Sequence, residues 1–405
     1  ARRLAAIAQG KSRAMKITKV ECFVLLVPDY RADACSSAQD DLVVKIHTDE
    51  GLVGIGETDT NPWVARAMIE APGTHIMGLG LTEMLMGKDS SDVEGLWEKM
   101  YMGSAMTGRR GLGICAMGAL DMALWDLRGK AAGKPCWQLL GGAINPGGIT
   151  PYASLLPEGD DLETYTRILV ERAVKAKQLG FRAAKLEICI KGPYSHNSLQ
   201  IPDDRECAKI VAACRKAVGP EMTLMVDVAY AWADWKEALR AIDMFADQDI
   251  YFIETPLPSD DIEGYAKLVK ASPVRVAAGE WLNSRFEFRE LMDRDALDVV
   301  QPDVGRVGGL TEARRVAMAA RDKGLAVVPH CWKSAIGIAA SAHLAAVSPT
   351  CTYIEFLPRE LADSSLRKDL CSVELPVVNG QIPLPTAPGL GITLNEDALV
   401  KYRVQ

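Results

Sequence analysis

The sequence predicts an α/β fold: a (β/α)8-type barrel with an α+β N-terminal capping domain. Three observations predict it. After Gly148, short apolar runs alternate with amphipathic stretches eight times in ~210 residues, near the about 250 typical of such a barrel. Three of those runs end in a carboxylate, Asp227, Glu254 and Glu280, at spacings of 27 and 26 residues. That interval suits one strand, one helix and two loops. Before residue 60, by contrast, the apolar runs lie close together and are joined by turn residues, as antiparallel strands are.

At 405 residues the chain is long enough for two domains, or for one barrel with a satellite. A net charge of −7 argues against nucleic acid or an anionic membrane as the main partner. The ten cysteines show no C-x-x-C spacing, which points to free thiols in a reducing, cytoplasmic compartment. No apolar run reaches the length needed to span a bilayer.

Residues 1–14 are basic and then briefly apolar, and Gln9-Gly10-Lys11 follows at once. Met15 reads as the natural start, with a poorly ordered extension before it. Residues 15–142 read as the capping domain. Ile17 to Val27, Asp41 to His47 and Leu52 to Glu57 are strand-like, the last two joined by the hairpin signal Asp49-Glu50-Gly51. Pro28 to Asp40 is polar and irregular, and reads equally well as a lid or as a surface loop. From Ala65 to Lys130 the pattern is helical, clearest in Ile114–Lys130, where Met117, Leu120, Ala123, Leu124 and Leu127 recur at helical spacing. Gly133-Lys134-Pro135 and Gly141-Gly142 end the domain. The glycine clusters at 78–80 and 108–113 do not sit between a strand and a helix, so they are not a dinucleotide fingerprint.

The barrel reading spans 143–357. Its strands are predicted at 149–155, 183–188, 223–228, 251–255, 274–280, 297–303, 325–330 and 351–356, with helices between them and no full helix required in the last unit. Active sites of such barrels lie at the carboxyl ends of the strands. Those ends read Lys185-Leu186-Glu187, Asp227, Glu254, Glu280, Gln301-Pro302-Asp303, Pro329-His330 and Glu355. Ionisable groups at seven of eight ends are not what a merely structural barrel shows. Three acids brought together repel, and a hard divalent cation with oxygen ligands resolves the conflict, which suits Mg2+.

The ordered set Lys185, Asp227, Glu254, Glu280, Asp303, His330 and Glu355 resembles the enolase superfamily, mandelate racemase type. The phrases Ala123-Leu124-Trp125-Asp126, Phe252-Ile253-Glu254-Thr255-Pro256, Gln301-Pro302-Asp303 and Gly308-Gly309-Leu310-Thr311-Glu312 are similar too. The likeness runs from about Met15 to the C-terminus. It implies one Mg2+ per active site on Asp227, Glu254 and Glu280. It also implies a small-molecule carboxylate substrate, a homo-oligomer, and a C-terminal segment, 358–405, returning to the capping domain. A Lys near the end of strand six would mark the muconate-cycloisomerase branch; Asp303 and His330 point to the racemase-type branch.

Removing a proton next to a carboxylate creates an enediolate, whose charge a metal stabilises. His330 is the expected base, Asp303 fixes its tautomer, and a protonated Glu355 would hydrogen-bond the developing oxyanion. His47, His75, His196 and His343 are not placed in the site. Strand two departs from the family. Many relatives carry Lys-x-Lys there, and this chain has Lys185-Leu186-Glu187. A carboxylate beside Lys185 raises its pKa and makes it a poor base. A racemase needs a base on each face, whereas elimination of water can run from one. The sequence therefore predicts a dehydratase of an acid sugar giving a 2-keto-3-deoxy acid, with Lys185 electrostatic and Glu187 and Trp332 contacting substrate. Residues Lys191 to Ser198 are a second candidate for hydroxyl contacts. Epimerisation or cycloisomerisation is the alternative within the family. A non-catalytic barrel with a binding or regulatory role is the alternative outside it.

Overall fold

The computed structural model describes residues 14–144, 147–195 and 199–404. The extension expected at residues 1–14 falls outside them but for Ala14, as do His196, Asn197 and Ser198 of the polar segment.

Strands β1 (Ile17–Leu26), β2 (Asp40–Thr48) and β3 (Val53–Thr58) form an antiparallel sheet in that order, with Val24 opposite Leu42 and Val44 opposite Gly56. Four helices follow: α1 (Pro62–Glu70), α2 (Leu81–Leu85), α3 (Val93–Gly103) and α4 (Leu112–Ala132). The last is buried on every side rather than on one face, because it lies between the sheet and the barrel. The sheet approaches so closely that a Cβ at Gly56 would stand 2.0 Å from the Ala119 carbonyl oxygen. Two buried acids anchor this helix. Asp121 accepts from Thr311 N and Oγ1, and Asp126 accepts from Ile55 N and Leu390 N. Gly133, at φ 65°, ends it in the left-handed conformation that favours glycine. The short α5 (Cys136–Leu139) leads to the barrel.

The barrel strands are β4 (Pro151–Leu155), β5 (Ala183–Glu187), β6 (Thr223–Asp227), β7 (Ile250–Glu254), β8 (Val276–Ala278), β9 (Val299–Val300), β10 (Ala326–Val327) and β11 (Ile354–Phe356). All pair in parallel, β11 lies beside β4, and the β10–β11 seam is closed by the bridge Val327–Cys351 and the bond from Glu355 N to Pro329 O at 3.2 Å. Helices α6 (Leu162–Gln178), α7 (Arg205–Val218), α8 (Trp235–Asp243), α9 (Ile262–Ala271), α10 (Ser284–Asp293), α11 (Gly309–Asp322) and α12 (Ala335–Val347) cover the outside. The eighth unit has only the five-residue α13 (Ser365–Asp369). Tyr152, Met225, Phe252, Val299 and Val328 fill the barrel floor, so the mouth at the other end is the one open to ligands.

The tail returns to the capping domain. Val404 N donates to Val24 O at 2.9 Å, and Lys45 pairs with Glu396 at the start of α14 (Glu396–Tyr402) at 2.6 Å. The sequence also suggests a hairpin at Asn379-Gly380, its strands limited by Pro376 and Pro383; the turn forms, Val378 and Gln381 exchanging backbone bonds at 2.7 and 3.1 Å, without a longer ladder. The tail's strand pair is instead β12 (Cys371–Val373) with β13 (Thr393–Leu394). Among the described residues, no helix is long and apolar enough to cross a membrane.

Candidate active site

The carboxyl ends of the strands bring the predicted residues together. Alternation along β5 turns Lys185 and Glu187 to the same side. Register then pairs Glu187 with Asp227 and Asp227 with Glu254 on successive strands. Beyond β6 and β7 the backbone turns sharply: Ala229, Tyr230 and Thr255 have φ of 47°, 61° and 45°. A left-handed β-branched residue is costly, and such conformations persist only where the surroundings fix them. Here Thr255 N donates to Ala277 O at 3.0 Å, Tyr230 N to Thr255 O at 2.7 Å, and Thr255 Oγ1 to Asp227 Oδ1 at 2.8 Å. Glu280 follows Gly279, whose φ is 124° and whose Cβ, were there one, would lie 2.5 Å from the Phe288 ring.

Lys185 is the electrostatic centre. Its Nζ lies 2.7 Å from Glu254 Oε1, 2.9 Å from Glu355 Oε1, 3.3 Å from Glu187 Oε1 and 3.4 Å from Asp227 Oδ2. Burial alone would lower its pKa, but Glu187, Glu254 and Glu355 hold it well above the ordinary lysine value. The contact with Glu187 is the pairing that the sequence reading of strand two expects, and a lysine held protonated has no lone pair to act as a base. Glu187 itself is pushed well above the carboxylate range by burial and by Asp227, and accepts from Ser154 Oγ at 2.8 Å.

His330 is gripped at both nitrogens, Nδ1 lying 2.7 Å from Asp303 Oδ2 and Nε2 lying 3.0 Å from Glu280 Oε2. Burial opposes its charge, yet Glu355, Glu280 and Asp303 hold its pKa well above the usual value. Burial would raise the pKa of Glu355, but Lys185 and His330 pull it below the ordinary value. Its Oε2 accepts from Cys331 N at 2.9 Å. Trp332 turns its Nε1 to Ser36 Oγ at 2.9 Å, at the edge of a cavity of about 250 Å³.

The strand ends carry the carboxylates Glu187, Asp227, Glu254, Glu280, Asp303 and Glu355, all buried, against the cations Lys185, Arg306 and, when charged, His330. This surplus of negative oxygen donors fits a hard divalent cation. Of the three predicted ligands, Glu254 also accepts from Gln301 Nε2 at 2.5 Å, and Glu280 Oε1 from Tyr230 Oη at 2.8 Å. Among the described residues a different set of possible ligand atoms, from Asp59, Asp303 and His330, lies within 4.8 Å of one another. Asp303 and His330 are bonded to each other, and Asp59 is paired with Arg306 and Lys333.

Asp59 is one of the site residues the sequence reading missed. It follows β3 in the capping domain, is buried, and pairs with Arg306 and, at 3.1 Å, with Lys333. Arg306 also donates to Glu280 O at 3.1 Å and lies 3.4 Å from Glu280 Oε2. Lys333 lies 2.6 Å from Asp40 Oδ1 and donates to Ser37 O. An acid closing the third N-terminal strand was visible in the sequence; its partners, some 250 residues away, were not.

Comparison with known proteins agrees with this geometry. A family model described as mandelate racemase / muconate lactonizing enzyme, N-terminal domain, matches residues 17–141, and one described as enolase C-terminal domain-like matches residues 168–398. The D-galactarolactone cycloisomerase of Agrobacterium fabrum is 29% identical, with 96% of this chain and 99% of that protein covered. The arabinonate dehydratase of Saccharolobus solfataricus is 30% identical, with 89% and 90% covered. The crystal structure of a racemase from Streptomyces coelicolor A3(2) with bound magnesium superposes with a TM-score of 0.80 at 28% identity, covering 96% of this chain and all of that one.

Proposed function

The chain belongs to the mandelate racemase / muconate lactonizing enzyme family of the enolase superfamily, and on that premise we propose that it is a Mg2+-dependent dehydratase of an acid sugar. Asp227, Glu254 and Glu280 would hold the ion, whose charge, when bound, stabilises the electron density that builds on the substrate carboxylate. His330, in its neutral form, takes the α-proton at Nε2, and Asp303 at Nδ1 orients the ring and supports its positive charge. The same imidazolium then returns that proton to the β-hydroxyl, which leaves as water. The enol left behind ketonises to a 2-keto-3-deoxy acid. Lys185 stays charged throughout and orients Glu254. The reading includes a cytoplasmic location, which the ten free cysteines support, and a homo-oligomeric state.

One observation carries the choice of dehydration: Lys185 is held charged by the carboxylates around it, beside Glu187 where many relatives have a second lysine. Elimination needs a base on one face only. Proton NMR in D2O tests this. With Mg2+ and the right acid, the α-proton signal disappears and keto-acid methylene signals grow.

A second reading has Glu187, kept protonated by burial and held by Ser154, delivering a proton to the opposite face. That gives epimerisation or cycloisomerisation, the reaction for which one of the relatives is named. It would show as α-deuteration without loss of water. A barrel without turnover would show neither.

A further inference from the structure

The cavity of about 250 Å³ lies between the 27–39 segment of the capping domain, the end of β4 and the segment after β11. Its inner edge is part of the site, since Ser154 donates to Glu187, and Trp332 stands two residues beyond His330. Its lining follows β4, β5, β10 and β11, largely across the barrel from β6, β7 and β8, which lead to Asp227, Glu254 and Glu280. A substrate whose carboxylate meets those three acids and whose α-carbon meets His330 therefore sends its far end into this cavity.

Charge decides what that far end can be. The charged lining residues are Asp29, Glu158 and Asp363 against Arg31 and Arg172, one negative charge in excess. Both guanidiniums are engaged. Arg172 Nη2 meets the two oxygens of Asp363 at 2.8 and 2.9 Å, and Nη1 donates to the Leu156 carbonyl. Arg31 pairs with Asp33 at 3.3 Å and with Glu158 at 4.0 Å. A carboxylate entering here finds both guanidiniums already paired and meets acids of its own sign. A hydroxymethyl group meets instead the hydroxyls of Ser36 and Ser154.

We propose that the substrate is a monocarboxylic polyhydroxy acid, an aldonate with a neutral terminus, and that this cavity rejects the matching aldarate with its second carboxylate. The inference rests on the proposed reaction for the placing of the first carboxylate, and on the lining for the rest.

The test uses the Mg2+-loaded protein and aldonate–aldarate pairs of the same configuration, which differ only in a terminal hydroxymethyl or carboxylate. The expected result is a kcat/KM at least about 10-fold higher for the aldonate. Asp363→Asn, at an exposed side chain, frees the Arg172 guanidinium and should narrow that gap. Equal or better use of the aldarate overturns the inference and leaves the dehydratase reading standing. If neither acid turns over, the dehydratase reading falls, and calorimetric titration of both acids decides the inference alone. Tighter binding of the aldonate upholds it, and tighter binding of the aldarate, or of neither, overturns it.

Discussion

His330 Nε2 stands 3.0 Å from Glu280 Oε2, so the proposed base and a proposed metal ligand hold each other. The imidazole's other nitrogen is fixed by Asp303. His330→Asn should therefore cut α-proton exchange in D2O by about 10²- to 10⁴-fold, the range for loss of a general base, while circular dichroism stays native. Exchange at the wild-type rate in the variant would remove His330 from the mechanism.

The surplus of carboxylates at the strand ends makes the folded state a better cation host than the unfolded chain. Chelation should abolish turnover, and Mg2+ should restore it. At a hundredfold excess over its Kd the ion should stabilise folding by about 2.7 kcal/mol, read as a rise in Tm. Asp227→Ala should lose most of that rise. A wild-type Tm indifferent to Mg2+ would argue against the strand-end trio.

Lys185→Met removes a cation that touches four buried acids. Stripping one partner from a buried charge cluster costs about 3–5 kcal/mol. The loss should be largest without Mg2+ and partly recovered with it, as urea melts at the two conditions will show. Equal losses with and without the ion would mean that Lys185 and the metal do not share ligands.

Asp59→Asn tests the contact between capping domain and barrel. It leaves Arg306 and Lys333 with less compensation in a buried setting and should cost about 1–3 kcal/mol. We expect a lower Tm together with weaker Mg2+ binding, since Arg306 also touches Glu280. Unchanged Mg2+ affinity beside a lowered Tm would confine Asp59 to holding the domains together.

His343 sets part of the acid limit of stability. Trp137 N donates to its Nδ1 at 3.2 Å, and Nε2 faces Leu390 O at 3.2 Å, which fixes the neutral tautomer. Burial lowers its pKa to about 4 from 6.5. The sign follows: the unfolded chain binds this proton first. The stability is fully present above pH 6.5 and is lost as pH falls through about 4. The full loss is on the order of 3 kcal/mol. His343→Gln should flatten the fall in Tm between those pH values, and an unchanged slope would assign the acid limit to other groups.

The barrel was legible because its strands and helices alternate with an even period, and because Asp227 and Glu254 close strands, Lys185 and Glu355 lie within them, and Glu280, Asp303 and His330 come two or three residues after one. Local rules reach that far. They also gave the pairing of Lys185 with Glu187, which needs only the two-residue repeat of a strand. They did not reach Asp59, Arg306 or Lys333, whose roles exist only once the capping domain is docked. At the C-terminus Asn379-Gly380 gives the turn its chemistry predicts, and Pro376 and Pro383 keep it from extending into a ladder.

Trp332 and Lys333 follow His330 on the same stretch of chain, and their side chains hold Ser36, Ser37 and Asp40 of the capping domain. The segment that shapes the cavity is thus fastened to the base-bearing loop itself. Transplanting residues 28–39 from a relative would carry across half of a joint whose other half stays behind. Retargeting this protein to a new acid is therefore a problem in moving two loops as one module, with the histidine's alignment as the quantity put at risk.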